Sequence, residues 1–500
     1  MSDSVDLLVI GGGINGCGVA RDAAGRGLSV VLAEKDDLGQ GTSSRSGKYI
    51  HGGLRYLEYY EFRLVREALI EREVVLEAAP HLTWPLRLIL VHSASQRPRW
   101  LIRLGLFLYD TLGGRKRIPA TKSVRLDTSP EGKAVRDAYR NAFAYYDVWV
   151  DDARLVFLNA KDAALRGAEV LPRTRVTSAR RDGETWLTTL QGQDGSVREL
   201  RARAIVNTGG PWAEQVLGNV AGVNTSKRIR LVKGSHIVTK RWWDGDHGYV
   251  LQAPDRRLIF VNPYFDDLAL IGTTDIPFDD APENVTISED EITYLLGILN
   301  SYFKIELAPD DLVWSYSGVR PLFDDDAAKG ASAVTRDYTF ELDGGTARAP
   351  ILSAFGGKLT TYRKLSEAAL QQLKPFFPRM GPSWTEDAPL PGGDIAGADF
   401  PRWFDAFKAR WPWLPEPVAR HYARCYGTEA DRLLDGASGM GDLGEHFGSH
   451  FYAREARWLL TEEWAVAPED LLFRRTKHGV FLTDDERARV AEWLLAQTGS

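Results

Sequence analysis

The sequence has few cysteines and no long apolar run, and each absence excludes a class of protein. Its two cysteines, Cys17 and Cys425, lie far apart and form no CxxC pair, so neither a disulfide framework nor a structural zinc site is expected. No segment approaches the roughly 18 uninterrupted apolar residues of a membrane-spanning helix. The first residues carry no basic region of the kind that opens a signal peptide. We therefore expect a chain of the reducing cytosol that does not cross a bilayer.

Charge of one sign is not in excess either. The chain has 62 Lys and Arg against 68 Asp and Glu, a net charge of −6, which gives it no general attraction to nucleic acid. Hydrophobic residues make up 44% and charged residues 26%, a composition typical of globular proteins. A length of 500 residues suits roughly two or three domains.

The amino-terminal segment predicts a dinucleotide-binding βαβ unit. Residues 6–10 and 28–32 are short apolar runs typical of buried strands, and residues 17–26 predict a helix. Between the first strand and the helix lies G-x-G-x-x-G, formed by Gly11, Gly13 and Gly16. These glycines permit a tight turn and let the backbone approach a pyrophosphate at a helix amino terminus. Glu34, which ends the second strand, can accept hydrogen bonds from ribose hydroxyls.

Later segments predict two further architectures. Short strands at 235–238, 258–261 and 268–272, separated by polar breaks, favour an antiparallel sheet. A Pro- and Gly-rich linker at 389–394 precedes a mostly helical remainder, and seven of the 15 tryptophans lie at or beyond Trp384. This distribution indicates a separately packed helical domain at the carboxyl end.

One segment decides which dinucleotide is expected. Residues 41–57, GTSSRSGKYIHGGLRYL, resemble the signature of the FAD-dependent glycerol-3-phosphate dehydrogenases, a family of the glycine/D-amino-acid oxidase superfamily. The resemblance is strongest to the bacterial aerobic, respiratory-chain type and extends from about residue 5 to 480, although Cys17 stands where the family usually has a small residue. Further similar segments follow in the family's order: KGSH at 233–236, GTTD at 272–275, SGVRPL at 317–322, TRDY at 335–338 and FGGKLTTYRK at 355–364.

The resemblance implies an α/β fold with three parts. The FAD-binding Rossmann-like domain comprises residues 1–80, 150–230 and 330–388. An antiparallel-sheet substrate-binding or capping domain comprises 81–149 and 231–329, and the helical carboxyl-terminal domain comprises 389–500. The implied reaction is oxidation of sn-glycerol 3-phosphate at C2 to dihydroxyacetone phosphate, with hydride transfer to FAD and electrons passed to a membrane quinone. A homodimer is compatible with the family, and no metal is implied.

Site residues follow from the matching motifs. Arginine suits a phosphate dianion because its planar fork binds two oxygens at once. The residues expected to bind substrate are Arg55, Tyr56, Thr273, Arg320, Arg336 and Lys358. Those expected to bind FAD are Gly11, Gly13, Ile14, Asn15, Gly16, Glu34, Thr42, Ser43, Ser44, Lys48, His51, Gly53, Thr208, Gly209, Gly357, Lys358, Leu359 and Thr360.

The reaction also needs a base for the hydroxyl proton. His51 and His236 lie in family motifs, and histidine titrates in the right range, so either can serve. Arg320 is placed with them as a catalytic candidate. Glutamate or arginine as the base stays open.

Residues 96–118 have the composition of an in-plane membrane anchor. Six basic residues against one acidic residue flank an apolar stretch that includes Trp100, Phe107 and Tyr109. The alternative is a buried core helix with exposed arginine ends. Since a lipid-dissolved quinone requires docking, we expect a peripheral protein on the lipid surface at the cytoplasmic face of the bacterial inner membrane.

Three alternative functions differ from this one in the substrate, in the electron acceptor or in the absence of turnover. The chain could be a soluble oxidase that reduces oxygen to peroxide, or an amine or amino-acid oxidase with a carboxylate clamp. It could also be a flavin-carrying sensor without turnover.

Overall fold

The computed structural model of the protein describes residues 3–93, 96–114, 116–225, 227–265, 267–323, 337–345 and 348–498. Arg115 and Arg336 lie outside the described residues, as does the side chain of Arg55.

The strands of the described chain fall into three sheets. They are β1 (Asp3–Ile10), β2 (Val30–Ala33), β3 (Tyr49–Ile50), β4 (Thr83–His92), β5 (Lys122–Arg125), β6 (Asn141–Val150), β7 (Glu169–Leu171), β8 (Thr174–Asp182), β9 (Thr185–Gly192), β10 (Val197–Asn207), β11 (Ile229–Lys240), β12 (Gly248–Gln252), β13 (Leu258–Tyr264), β14 (Leu268–Gly272), β15 (Ile276–Pro277), β16 (Leu312–Phe323), β17 (Tyr338–Gly345), β18 (Arg348–Gly356), β19 (His446–Gly448) and β20 (Phe451–Tyr452).

The helices cover both large sheets and build the carboxyl-terminal domain. They are α1 (Ile14–Gly25), α2 (Phe62–Ala78), α3 (Arg99–Leu112), α4 (Asp152–Leu165), α5 (Ala213–Gln215), α6 (Glu289–Tyr302), α7 (Tyr362–Leu373), α8 (Phe400–Arg410), α9 (Glu416–Tyr426), α10 (Ala430–Leu434), α11 (Ala453–Glu462) and α12 (Asp484–Thr498). None of the helices described is long and apolar enough to traverse a lipid bilayer.

The first sheet carries the predicted βαβ unit. Its order is β17-β18-β10-β1-β2-β7, and β1, β2, β7, β10 and β18 run parallel. Successive residues of β1 enter different cores: Leu7 and Val9 pack with helices α1, α4 and α7, whereas Leu8 and Ile10 pack on the other face. Burial on both faces explains why the strand is apolar without alternation.

The second sheet has the order β15-β11-β14-β13-β12-β4-β6-β3, and β16 pairs with β11. Its pairs are antiparallel except that β12 lies parallel to β4. Ile237 of β11 packs with α6, and its neighbour Val238 packs on the opposite face with residues of α2 and α3. The predicted antiparallel sheet, and with it the predicted fold class, is confirmed.

The predicted boundary at residue 80 differs from the observed packing. β3, assigned by sequence to the FAD-binding domain, pairs with β6 in the second sheet. Helix α2 lies between the two sheets, because Val65 and Leu69 join the core of the second and Val75 and Leu76 join the core of the first.

The carboxyl-terminal domain has a core of its own. Residues of α8, α9, α10, α11 and α12 share one apolar cluster with the short hairpin β19-β20. Charged side chains attach this domain to the first sheet: Arg154 of α4 pairs with Glu463, and Arg475 pairs with Asp37.

Candidate active site

A cavity of about 500 Å³ lies where the carboxyl ends of β1 and β10 face the second sheet. Its wall includes the glycine-rich turn after β1 and the residues that follow β2. Residues of β11, β13, β14 and β16 line the opposite side. Ligands of open α/β sheets bind at this edge, so the cavity is the candidate active site.

The glycine-rich turn brings bare backbone to the cavity. Gly11 has φ +108°, and a Cβ there would lie 2.6 Å from the Thr208 carbonyl oxygen. Gly13 caps α1 without a side chain, and Gly13, Ile14 and Asn15 line the cavity at the amino end of that helix. Backbone N–H groups at such an end favour a negatively charged ligand, so the turn fits a pyrophosphate.

Glu34 is held rigidly beside this turn. Its Oε2 accepts the Gly12 N–H at 2.6 Å, and its Oε1 accepts the Asp36 N–H at 2.8 Å. Burial raises the pKa of Glu34. Each carboxylate oxygen keeps a second acceptor site, so hydrogen bonds to ribose hydroxyls fit the observed geometry.

Most predicted cofactor residues meet at the cavity. Thr42, Ser43, His51, Thr208, Gly209, Gly357, Lys358, Leu359 and Thr360 line it together with the turn. Ser43 Oγ accepts the Ile14 N–H at 3.0 Å, which fixes the loop to the start of α1. Thr42 Oγ1 donates to the Val319 carbonyl at 2.5 Å, so the same loop joins the two sheets.

The side chain of Lys48, a predicted FAD contact, is bound to its own loop and to α4. Its Nζ donates to both carboxylate oxygens of Asp152 at 2.8 Å and to the Ser44 carbonyl at 2.9 Å. The side chain is 1% exposed and does not line the cavity. Burial lowers the pKa of Lys48, opposed by Asp152. Lys48 therefore links the loop at residues 44–48 to α4 through hydrogen bonds and an ion pair.

Three further predicted FAD contacts do not line the cavity. The backbone carbonyl of Ser44 accepts a hydrogen bond from Lys48 Nζ. Gly16 packs inside the turn, where a Cβ would overlap the Gly11 carbonyl. Gly53 has φ +74° and starts the 3-10 turn Leu54–Tyr59.

Two of the cations predicted to bind substrate, Arg320 and Lys358, line the cavity. Arg320 donates from Nη2 to Thr273 Oγ1 at 3.0 Å and from Nη1 to Asp275 Oδ1 at 3.1 Å. Lys358 Nζ lies 3.9 Å from the centre of the Tyr56 ring. All of these residues except Asp275 line the cavity, so Arg320 and Lys358 can both face one anionic ligand.

Both candidate bases reach the same cavity. His236 stacks on Tyr316 with ring centres 4.8 Å apart, and its Nδ1 has no hydrogen-bond partner among the described residues. Burial, together with Arg320 and Lys48, lowers the pKa of His236 well below its ordinary value, which keeps the ring neutral. The His51 backbone N–H donates to Thr360 Oγ1 at 3.2 Å, and its side chain lines the cavity.

The sequence reasoning missed three cavity residues. Tyr49 donates to Asn262 in the wall, and Arg45 donates to the Ser317 carbonyl at 3.0 Å while lining the same space. Arg45 and Tyr49 lie within the quoted signature. Asn262 is a polar residue inside an otherwise apolar strand, a signal that could have identified it.

Comparisons with known proteins place the chain in a class. The family described as FAD dependent oxidoreductase matches residues 6–363, and the C-terminal domain of alpha-glycerophosphate oxidase matches 383–496. The fold and the cavity thus define an FAD-dependent oxidoreductase with an additional helical domain.

Comparison with individual relatives indicates a narrower family within this class of oxidoreductases. The chain is 56% identical to the D-erythritol 1-phosphate dehydrogenase of Brucella abortus, over 98% of each chain. It is 48% identical to the aerobic glycerol-3-phosphate dehydrogenase of Escherichia coli, over 99% of this chain and 98% of that one. The solved structure of the glycerol-3-phosphate dehydrogenase from Bacillus halodurans complexed with FAD aligns with TM-score 0.75 and 26% identity, covering 99% and 94%.

The chain belongs to the family of FAD-dependent glycerol-3-phosphate dehydrogenases. The predicted family, enzyme class and cofactor are confirmed.

Proposed function

We propose that the protein oxidises the C2 hydroxyl of sn-glycerol 3-phosphate to give dihydroxyacetone phosphate. FAD, when bound, accepts the hydride. The chain's own residues hold the phosphate, orient the carbinol carbon and accept the hydroxyl proton.

The cation arrangement beside the two histidines carries this proposal. Arg320 is oriented by Thr273 and Asp275, and a guanidinium has five N–H donors, so hydrogen bonds to a phosphate remain available. Lys358 and Tyr56 are placed to supply a second cation and a hydroxyl on the cavity wall. Arg55 and Arg336 stay predicted substrate-binding residues on the basis of the sequence motifs alone.

D-erythritol 1-phosphate is the second candidate substrate, because the relative from Brucella abortus is 56% identical over almost the whole chain. The two substrates share a phosphomonoester and a chain of hydroxyls, and they differ in length. A single phosphate clamp can serve both, so the carbon chain rather than the phosphate would discriminate.

Anaerobic flavin reduction tests the substrate. Purified holoenzyme is mixed with glycerol 3-phosphate, D-erythritol 1-phosphate, glycerol or erythritol, and bleaching of the flavin is followed by stopped flow. We expect rapid bleaching with glycerol 3-phosphate and none with the unphosphorylated polyols. Faster bleaching by D-erythritol 1-phosphate would establish the second candidate. Equal rates with and without phosphate would reject both.

The base can be assigned by comparing two variants. We expect His51→Gln or His236→Gln to slow flavin reduction by about 10²–10⁴-fold, depending on which residue accepts the proton. The other variant should mainly raise KM. If both variants reduce flavin at the wild-type rate, neither histidine is the base.

We further propose that electrons leave to a membrane quinone while the protein lies on the lipid surface. In helix α3, Trp100, Leu104 and Phe107 are exposed on one face, whereas Leu106 and Tyr109 are buried on the other. Tyr60 and Phe62 add exposed aromatic area near α3. The buried-helix alternative does not account for this outward apolar face, which suits an interfacial position.

Vesicle binding and acceptor choice test this second proposal. The triple variant Trp100→Ser, Leu104→Ser, Phe107→Ser should lose at least about tenfold in binding to vesicles of anionic phosphatidylglycerol. Leu165→Ser, an exposed leucine on α4, is the control and should bind normally. The wild type should reduce a ubiquinone analogue much faster than oxygen. Stoichiometric peroxide with no quinone reduction would support the soluble oxidase instead.

A further inference from the structure

The carboxyl-terminal domain contains a buried cluster of imidazole and carboxylate groups that do not line the active-site cavity. His421 of α9, Glu455 of α11 and His478 after α11 place their side-chain nitrogen and oxygen atoms within 4.8 Å of one another. Glu455 is 0% exposed and His478 is 4% exposed. We propose that these three residues form a structural zinc site.

The three side chains approach one another in pairs, through both carboxylate oxygens of Glu455. His421 Nε2 lies 2.6 Å from Glu455 Oε1 and 3.0 Å from His478 Nε2. His478 Nε2 lies 3.4 Å from Glu455 Oε2. One N–H on His421 Nε2 cannot point at both neighbours, whereas a cation between the three atoms attracts all of them.

These spacings are close to those of a zinc site. Zinc lies about 2.0–2.1 Å from imidazole nitrogen and about 2.0–2.2 Å from carboxylate oxygen, so tetrahedral ligands stand about 3.3 Å apart. Two observed separations, 3.0 and 3.4 Å, agree with this value, and the 2.6 Å contact between His421 Nε2 and the other carboxylate oxygen must lengthen by about 0.7 Å. Oε2 of Glu455 has no hydrogen-bond partner among the described residues and is free to ligate.

Neighbouring groups orient the ligands as metal sites require. Cys425 Sγ lies 3.7 Å from His421 Nδ1, so Nδ1–H can donate to the sulfur and leave Nε2 as a lone pair. Tyr426 donates its hydroxyl to Glu455 Oε1 at 2.6 Å. A metal-bound water can supply the fourth ligand.

The location indicates a structural role. The ligands come from two helices and from the segment that follows Arg474 and Arg475, whose guanidiniums bind Asp37 of the FAD-binding domain. Zinc would fix that segment to α9 and α11. The expectation of no metal rested on cysteine spacing, and histidine and glutamate supply the ligands here without it.

Metal analysis of the holoenzyme, prepared without a histidine tag, is the first test. We expect about one zinc per chain by mass spectrometry in the wild type and in the control His446→Asn, an exposed histidine of the same domain. His478→Gln should lose at least about tenfold in zinc content. This variant should still bind FAD and show substrate-dependent bleaching, which establishes that it is folded.

Titration of the wild type with cobalt keeps the test independent of the variants. Protein dialysed against a chelator receives Co²⁺ alone, and we expect one saturable equivalent with a visible difference spectrum that Zn²⁺ abolishes. Zinc should also raise the Tm of this protein but not that of His478→Gln. A wild type that holds no zinc and takes up no cobalt would overturn the proposal and leave a hydrogen-bonded triad. Uptake that His478→Gln leaves unchanged would place the ion elsewhere.

Discussion

Among single residues, Arg320 has the most defined surroundings of the cavity's cations. It is fixed by one neutral and one charged partner, Thr273 and Asp275, in the turn between β14 and β15. We expect Arg320→Met to lower kcat/KM for glycerol 3-phosphate at least about 100-fold, because charged hydrogen bonds contribute about 1.5–3 kcal/mol each. FAD content should not change.

Arg257→Met is the matched control for this prediction. Arg257 pairs with Asp255 in the turn between β12 and β13 and does not line the cavity. Steady-state kinetics and the flavin absorbance of both variants settle the question. Normal kinetics in Arg320→Met would show that Arg320 does not bind the substrate phosphate.

His81 makes stability depend on pH. It is fully buried, and neither ring nitrogen has a hydrogen-bond partner within the described residues. Burial, with Arg154 and Arg424 nearby, lowers the pKa of His81 to about 3. The unfolded chain, with a histidine pKa near 6.5, binds a proton that the native chain does not, so stability falls as pH drops below about 6.5.

Between pH 7 and pH 5 this residue should remove about 2 kcal/mol from the free energy of unfolding. Urea denaturation at both pH values measures the loss. In His81→Leu the loss should be smaller by that amount, whereas His446→Asn should behave as the wild type. An unchanged pH dependence in His81→Leu would contradict the assignment.

The role of a residue was predictable where the motif itself indicates the chemistry. It was less predictable where the role depends on a partner far away in the sequence. Arg320, Lys358 and Thr360 meet at the cavity as their motifs indicated. Lys48 sits in the same signature, yet its partner Asp152 lies 104 residues away. No local sequence pattern indicates the Lys48–Asp152 ion pair. The sequence therefore could not distinguish a lysine that stabilises the loop from one that contacts FAD.

Among the structural elements, the turn between β1 and α1 requires glycine, because a side chain there would occupy the space next to the cavity. A Cβ on Gly13 would lie 3.1 Å from Ser43 Oγ, the atom that accepts the Ile14 N–H. We expect Gly13→Val to purify without FAD, because the branched side chain occupies the space of a pyrophosphate.

Gly218→Ala provides the comparison for this element, since a Cβ there meets no atom within 4 Å. Its flavin content should equal that of the wild type. Absorbance of the purified proteins, with circular dichroism to verify folding, measures the effect. A yellow Gly13→Val protein would show that the turn tolerates a side chain.

Local pattern predicted elements better than their pairing. The predicted strand at 6–10 and the predicted helix at 17–26 correspond to β1 and α1, and both follow from local sequence pattern. The parallel contact between β12 and β4, and the membership of β3 in the second sheet, join segments about 100 or more residues apart. Such pairings depend on long-range packing, which short windows do not encode.

For the whole molecule, Asp37 joins the carboxyl-terminal domain to the cofactor edge. Arg474 Nε lies 2.6 Å and Arg475 Nη2 lies 2.8 Å from its carboxylate, and both Asp37 and Arg475 are buried. Arg475→Met removes one of these two guanidiniums and its charged hydrogen bonds while Arg474 stays paired with Asp37, so it should lower stability by about 3 kcal/mol and accelerate FAD release.

Arg410→Met is the corresponding change in an exposed ion pair, with Asp431 at 2.9 Å. It should cost less than about 1 kcal/mol. Chemical denaturation and the rate at which flavin fluorescence appears measure both effects. Equal stability of the two variants would mean that the domain contact is energetically minor.

The pairing of Asp37 with Arg474 and Arg475 also constrains biosynthesis. The acidic partner leaves the ribosome more than 430 residues before the basic ones. A nascent chain therefore carries this carboxylate without these two counterions until translation is nearly complete. Premature termination anywhere before residue 474 yields a polypeptide whose nucleotide fold lacks its final fastening, and such a product is a natural target for proteolysis.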